Sequence, residues 1–332
     1  MRRTTFLALG TGAMVAPAAA LAQSGVDADP AITSATPALR VLLGPGSAQP
    51  GPQGSFLFSG RLYRGTYQQT AGGVVNLVDI EQYLYSVVPR EMSPGWPAAA
   101  LEAQAVCART YVLARSNPRR AYDLVPSELD QVYQGVAGES PAGRTAVDAT
   151  VGQVLHYDNL YASVAYSSCC GGHTEASSDA WGSLPVPYLG GVRCTYCTAS
   201  PNFHWTSDIA LSDVAMHFGD RLAAFGELRG VRVAATDPSG RARSFELDAE
   251  RGSANIKGST FRMSVGPRVV KSLLITNMLQ DGPSGSLTVE GAGLGHGVGL
   301  CQWGARGMAL AGRSARDILA LYFPGTQVST ND

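Results

Sequence analysis

Residues 87–97 read VVPREMSPGWP. A single acid, Glu91, stands among Val87, Val88, Met92 and Trp96, and Pro89, Pro94 and Pro97 stiffen the stretch. On its N-terminal side Asp79 opens a short helical pattern, DIEQYLYSVV, with Gln82 three residues on in a capping arrangement. On its C-terminal side Pro97 suits the first position of a longer helix, PAAALEAQAVCARTYVLARS, which Asn117-Pro118 ends. Ala98, Leu101, Ala105, Ala108 and Val112 recur three and four apart and mark its buried stripe. Glu91 is therefore expected on a rigid connection between two helices, just ahead of a helix N-terminus. Apolar neighbours disfavour a charged carboxylate, and a carboxyl held protonated near neutral pH can serve as a general acid. An ordinary glutamate stabilised by the helix dipole is the other reading of the same residues.

Outward from this stretch, RTAVDATVGQVLHY (144–157) reads as a helix running into a strand, and Asp158-Asn159 turns into LYASVAYSS. Cys169 to Trp205 is loop-like. From 228 to 291 short strands recur: LRGVRVAAT, SFELDAE, FRMSV, SLLITNML and SLTVEG. Ser314 caps a last helix, Ala315 to Phe323, with Asp317 at the capping-box position, and Pro324-Gly325 stop it. Helices and strands are partly segregated, which makes the expected class α+β, with short antiparallel strands and a β-rich C-terminal half. Upstream, residues 23–73 read as a linker and N-terminal strands, with LRVLLG (39–44) a lone strand.

The first 22 residues have the three parts of an export signal: Arg2 and Arg3, an apolar run, and Ala20-Leu21-Ala22. Twin-arginine and ordinary secretion both fit, and the mature protein is expected outside the cytoplasm, periplasmic or associated with the cell wall. The 332 residues carry 26 acidic and 25 basic side chains, and charged residues make up only 15%. That balance argues against a nucleic-acid binder driven by phosphate contacts.

Two further stretches carry chemistry. CGGH (170–173) and CTYC (194–197) place Cys170 with His173, and Cys194 with Cys197, at the spacing of a structural Cys₃His zinc site. His204 and Cys169 are the reserve ligands, and a disulfide such as Cys170 to Cys194 is the competing reading in an oxidising compartment. Cys107 lies in the helical pattern as a buried small residue. GHGVGLCQWGA (295–305) lacks the lysine and hydroxyl of a phosphate loop. Its glycines suit a close backbone approach to a ligand, with His296, Gln302 and Trp303 beside it, or a tight structural turn.

YLYSVVPREM, ALEAQAVCARTYVLAR, QVYQG, SSCCGGHT, FRMSVG and GHGVGLCQWGARGMALAG occur in an order that resembles the SpoIID/LytB family over about residues 74–328. The resemblance implies a SpoIID-like domain, with helices around a catalytic groove, and a lytic transglycosylase acting on peptidoglycan glycan strands stripped of stem peptides. It places the catalytic glutamate on Glu91 and an active-site arginine on Arg109, whose fork suits sugar hydroxyls or the lactyl carboxylate of muramic acid. His296 and Gln302 complete the candidate substrate-binding set. Some members bind zinc near the CGG segment, so a structural zinc on Cys170, His173, Cys194 and Cys197 is expected, with no organic cofactor. The chain departs from the family pattern at Cys301 and Trp303, where Ser and Tyr are usual. The LytB branch implies a competing role, a wall-binding protein that stimulates an N-acetylmuramoyl-L-alanine amidase. A purely structural, metal-stabilised envelope protein is the third reading.

Overall fold

The computed structural model describes residues 38–52, 54–282 and 285–330. The export signal expected over residues 1–22 lies outside them. Eight α-helices run in chain order as α1 (Ile80–Glu91), α2 (Ala98–Arg115), α3 (Pro141–Asp148), α4 (Ser177–Trp181), α5 (Leu211–Leu222), α6 (Gly258–Val265), α7 (Gln302–Leu310) and α8 (Ala315–Tyr322). The strands form small sheets, nearly all antiparallel, so the class is α+β.

Two hydrophobic cores divide the described chain. The first is built on α2, which packs against α1, α3, α7 and α8. Sequence spacing predicts a stripe on this helix, but eleven successive or near-successive residues, Ala100 to Val112, are buried, and Ala98 is exposed. Alanine-rich faces let four neighbours approach at once, and a helix buried on most sides is the result. Asp79 caps α1 as its sequence suggests, Oδ1 accepting from the N–H groups of Glu81 (2.9 Å) and Gln82 (3.2 Å). Pro97 falls one position earlier than expected, as the N-cap of α2. A sheet of Leu39–Gly44, Gly73–Val78 and Thr66–Thr70 adds Val41, Val74 and Val78 to this core, and a second one joins Ala48–Pro50, Ser55–Phe58 and Arg61–Arg64.

The second core spans Trp205 to Val289 and centres on Phe218, Phe245 and Phe261. Strands Leu228–Thr236, Ala242–Ala249 and Gly252–Lys257 form one of its sheets, and Trp205–Ala210, Ser286–Gly291 and Ile275–Gln280 the other. Two elements differ from the sequence expectation. FRMSV is the end of α6 rather than a strand, because Phe261 stacks on Phe245 (4.2 Å) and Phe218 (5.8 Å) and binds the segment as a helix. The stretch 206–227, unassigned by pattern, contains the rest of strand Trp205–Ala210 and then α5.

The second core is an excursion from the first. The chain leaves the first core beyond Cys197 and rejoins it at Val298, where strand Leu300–Cys301 pairs in parallel with Tyr166–Ser167. Arg241 ties the two together. It is 1% exposed, and its Nη2 donates to the carbonyls of Cys170 (2.7 Å) and His173 (3.0 Å). Its Nε lies 3.5 Å from Glu175 Oε2. Gly297 passes so close to this guanidinium that a Cβ there would overlap it, and its φ of +78° is one that glycine adopts freely.

Arg109 does not reach toward Glu91. It is buried in α2 and forks onto Glu81 at the opposite end of α1, Nε donating to Oε1 at 2.8 Å and Nη2 to Oε2, while Nη1 donates to the Gln153 carbonyl at 2.9 Å. The expected active-site arginine is thus a structural clamp between α1, α2 and the strand Gln153–Tyr157. Arg109→Ala strands Glu81 and a buried carbonyl, so it should cost about 3 kcal/mol of stability, read as a lower urea midpoint at unchanged slope. An unaltered midpoint would show that the clamp carries no load.

Candidate active site and thiol cluster

Glu91 is the last residue of α1 rather than part of a separate connection. Pro89 sits in the final turn, and the chain leaves the helix at Met92 in an extended conformation (φ −126°, ψ 146°). The break turns the Glu91 side chain toward the loop 131–134, where its Oε1 accepts a hydrogen bond from the Val132 N–H at 3.2 Å. The side chains of Gln302 and Tyr166 also face the carboxyl. Burial pushes its pKa above the ordinary carboxylate value. The Val132 N–H, Gln302 and Tyr166 favour the charged form, and nearby Glu128 disfavours it. Burial outweighs the bonds, so the carboxyl resists ionisation, yet Glu91 is only half-buried and open to a ligand.

A polar lining surrounds it. The hydroxyls of Tyr83 and Tyr166, Gln104 Nε2 and Gln131 Oε1 are buried with no hydrogen-bond partner of good geometry among the described residues. Gln302 Nε2 reaches Gln104 Oε1 at 3.4 Å, linking α7 to α2 directly behind Glu91. Such orphaned groups are costly in a closed core and are natural contacts for a hydroxyl-rich ligand or ordered water. The rim is aromatic. Trp96, five residues past Glu91, meets Trp303 edge-to-face at 5.0 Å, and both rings are half-buried.

Gln302 faces Glu91, Arg109 is turned onto Glu81, and His296 packs against the end of α4 and the Tyr166 backbone. The His296 ring lies 5.4 Å from Trp181, the last residue of α4. Its Nδ1 accepts from the Val298 N–H at 3.0 Å, and the Tyr166 backbone also bonds the ring. Burial lowers its pKa to about 4, so it is a neutral imidazole at physiological pH. Gln131, Tyr166, Tyr83 and Gln104 escaped the sequence reading. Gln131, Tyr83 and Gln104 lie inside QVYQG, YLYSVVPREM and ALEAQAVCARTYVLAR and carried that signal; Tyr166 lies outside those motifs.

The second constellation is a set of thiols. Cys170, Cys194, Cys197 and Cys301 are buried, and their sulfurs all lie within 4.8 Å of one another. His173 is not among them, contrary to the spacing argument. Gly171 and Gly172, with φ of +72° and +109°, reverse the chain after Cys170. The His173 ring then spends Nδ1 on the Thr174 carbonyl at 2.6 Å. His204 is exposed, and Cys169 points its sulfur at the Cys197 carbonyl. Cys301 fills the fourth corner, 104 positions beyond Cys197 and beyond the reach of any local spacing rule. Cys107 is buried in α2, as its pattern implies.

All four sulfurs are unpaired thiols. The Cys170 Sγ to Cys197 Sγ distance is 3.7 Å. Zinc–sulfur bonds of about 2.3 Å in a tetrahedron place sulfurs about 3.8 Å apart, so the set fits a zinc ion. Donors support anionic sulfur: Cys301 Sγ accepts from the N–H groups of Cys170 (3.2 Å) and Gly304 (3.3 Å), and the Tyr322 hydroxyl lies 3.1 Å from Cys194 Sγ.

Residues 68–157, which include Glu91 and the Val132 loop, match the model of the Stage II sporulation protein family, SpoIID. Residues 195–299, which include most of the second core, match a domain of unknown function (DUF8618). An uncharacterized protein of Brachyspira hyodysenteriae is 34% identical over 259 residues, 77% of this chain and 68% of that protein. Stage II sporulation protein D of Bacillus amyloliquefaciens is 27% identical over 281 residues, 80% of this chain and 78% of its own. The amidase enhancer of Bacillus subtilis (strain 168) is 31% identical over 299 residues, and the match covers 74% of this chain but 40% of the enhancer. The ordered motifs, the mixed fold and these similarities together make the chain a member of the SpoIID/LytB family.

Proposed function

We propose that this protein is an exported lytic transglycosylase of peptidoglycan, cleaving the bond between N-acetylmuramic acid and N-acetylglucosamine in glycan strands without stem peptides. The observation that carries the reading is Glu91: a half-buried carboxyl, kept toward its neutral form by burial and faced by unpartnered tyrosine and glutamine groups. Glu91 donates its proton to the bridging oxygen as the C1–O bond breaks. The muramic 6-hydroxyl attacks C1, and the Glu91 carboxylate accepts the proton that this hydroxyl releases. The product is a 1,6-anhydro end, and the glutamate is restored. No water takes part, so the second carboxylate that a hydrolase positions is not required. Of the two acids in the adjoining loop, Glu128 is exposed, and Asp130 is engaged by the Tyr111 hydroxyl (3.0 Å) and the Val125 N–H (2.9 Å).

The same groove could bind glycan without cutting it while the protein stimulates an amidase, a reading that the name of the Bacillus subtilis relative favours. Anhydro-muramic ends after incubation with denuded glycan separate the two. Glu91→Gln should reduce their formation at least about a hundredfold while the protein still binds the strand. A variant that keeps most of its activity would remove Glu91 from the acid role.

The pH dependence follows from the raised pKa. Glu91 must be protonated to donate, so activity should fall as pH rises through a value above the ordinary carboxylate range. Stability follows the same sign: the folded state holds this proton more tightly than the unfolded chain, so the native protein loses stability as pH rises through the folded pKa. Glu91→Gln should therefore unfold at a higher temperature than the native protein at pH 7. That gain should disappear below about pH 4, the unfolded carboxyl value.

A structural zinc belongs to the same proposal. Cys170, Cys194, Cys197 and Cys301 would hold it with no open position, and its chemistry would be confined to joining three chain segments. Cys301→Ser should lower bound zinc well below one per chain and reduce the unfolding temperature, and a chelator should do the same to the native protein. His173→Ala should leave zinc content unchanged. Zinc lost with His173 and kept without Cys301 would reverse the ligand assignment.

A further inference from the structure

Arg306 sits one helical turn along α7 from Gln302, the residue whose side chain faces Glu91. Residues four apart share a helix face, so α7 presents Arg306 on the face that carries Gln302 toward Glu91. There it lies over Trp303, 5.2 Å from the ring centroid, and 5.9 Å from that of Trp96. Arg306 is half-buried, and no carboxylate or carbonyl among the described residues bonds it. Arg40, Arg64, Arg109 and Arg241 all meet an acid. A guanidinium laid over aromatic rings keeps its in-plane N–H donors for a bidentate anion.

We propose that Arg306 is a specificity-determining residue that binds the free lactyl carboxylate of a muramic acid unit, with Trp96 and Trp303 packing against the sugar. This inference rests on the glycan reading of the groove. A stem peptide converts that carboxylate to an amide, which removes the charge and adds bulk at the arginine. Arg306, rather than the buried and saturated Arg109, is thus the group that distinguishes denuded strands from peptide-bearing ones.

The test compares muramic-containing oligosaccharides carrying free lactyl carboxylates with the same oligosaccharides converted to primary amides. Cleavage is followed with the native protein, and binding by calorimetry in the Glu91→Gln background. The native protein should favour the carboxylate strand by roughly tenfold or more. Arg306→Gln should abolish that preference, because the losses from removing the arginine and from removing the carboxylate are not additive. Arg306→Lys should keep part of it, since the charge remains and the two-pronged geometry is gone. Thermal unfolding of each variant confirms that the fold persists. An Arg306→Gln protein that retains the native preference, or weakens both strands equally, would overturn the assignment. Binding preference without any cleavage by the native protein would instead sink the transglycosylase reading and leave the role of Arg306 standing.

Discussion

The convergence of Cys170, Cys194, Cys197 and Cys301 on one point is the constraint that orders the rest of the molecule. Three segments far apart in sequence meet there: the turn after strand Tyr166–Ser167, the loop leading into the second core, and the chain returning from it. Cys301 is also the N-cap of α7, its sulfur accepting from the Gly304 N–H. The position of the cluster therefore sets the position of α7, and α7 carries Gln302, Trp303 and Arg306. Gly304 shows how tight the joint is, since a Cβ there would overlap the Tyr322 hydroxyl and crowd Cys194 Sγ at 2.8 Å. The excursion through the second core can be long because its two ends are held at the cluster and by Arg241.

Local chemistry was legible in the sequence, and convergence was not. The caps of α1 and α8 followed from side chains within three residues of the helix start, and both are formed: Asp79 on Glu81 and Gln82, Ser314 with Asp317 in a reciprocal box. The mixed class followed from the segregation of patterns. α5 was also available, because Leu211, Val214, Phe218 and Leu222 recur at helical spacing, but a glycine and two aspartates weakened the signal. FRMSV reads as a strand by propensity and is helical because its phenylalanine stacks between two others. The zinc-type spacing found three of the four clustered cysteines. It assigned the fourth place to the local His173, since no local rule can see Cys301. Arg109 was misread for a related reason: its partner, Glu81, lies 28 positions away on another helix.

The candidate acid depends on a balance that only the folded chain reveals. An apolar neighbourhood was visible in VVPREM, but hydrogen bonds to a carboxylate oppose burial, and three groups act in that direction on Glu91. Those bonds lessen the upward shift without reversing it. The donor that counts most among them is a backbone N–H at 3.2 Å, a long bond, and it does not offset the loss of water. α1 supplies the remaining condition by ending at Met92, which leaves Glu91 at a lip and not inside the helix bundle.

Burial and access pull against each other at such a lip, and the arrangement of the two helices reconciles them. α2 and the loop 131–134 desolvate Glu91 from behind, through Gln104, Gln131 and the Val132 N–H. α7 and the Trp96 segment form the other side, where Trp96, Trp303 and the Arg306 guanidinium meet. An acid whose pKa is raised by burial, beside Trp96, Trp303 and the Arg306 guanidinium, is the arrangement on which the glycan proposal rests. Because Cys301 caps α7, the thiol cluster fixes where Gln302, Trp303 and Arg306 stand relative to Glu91 at the end of α1.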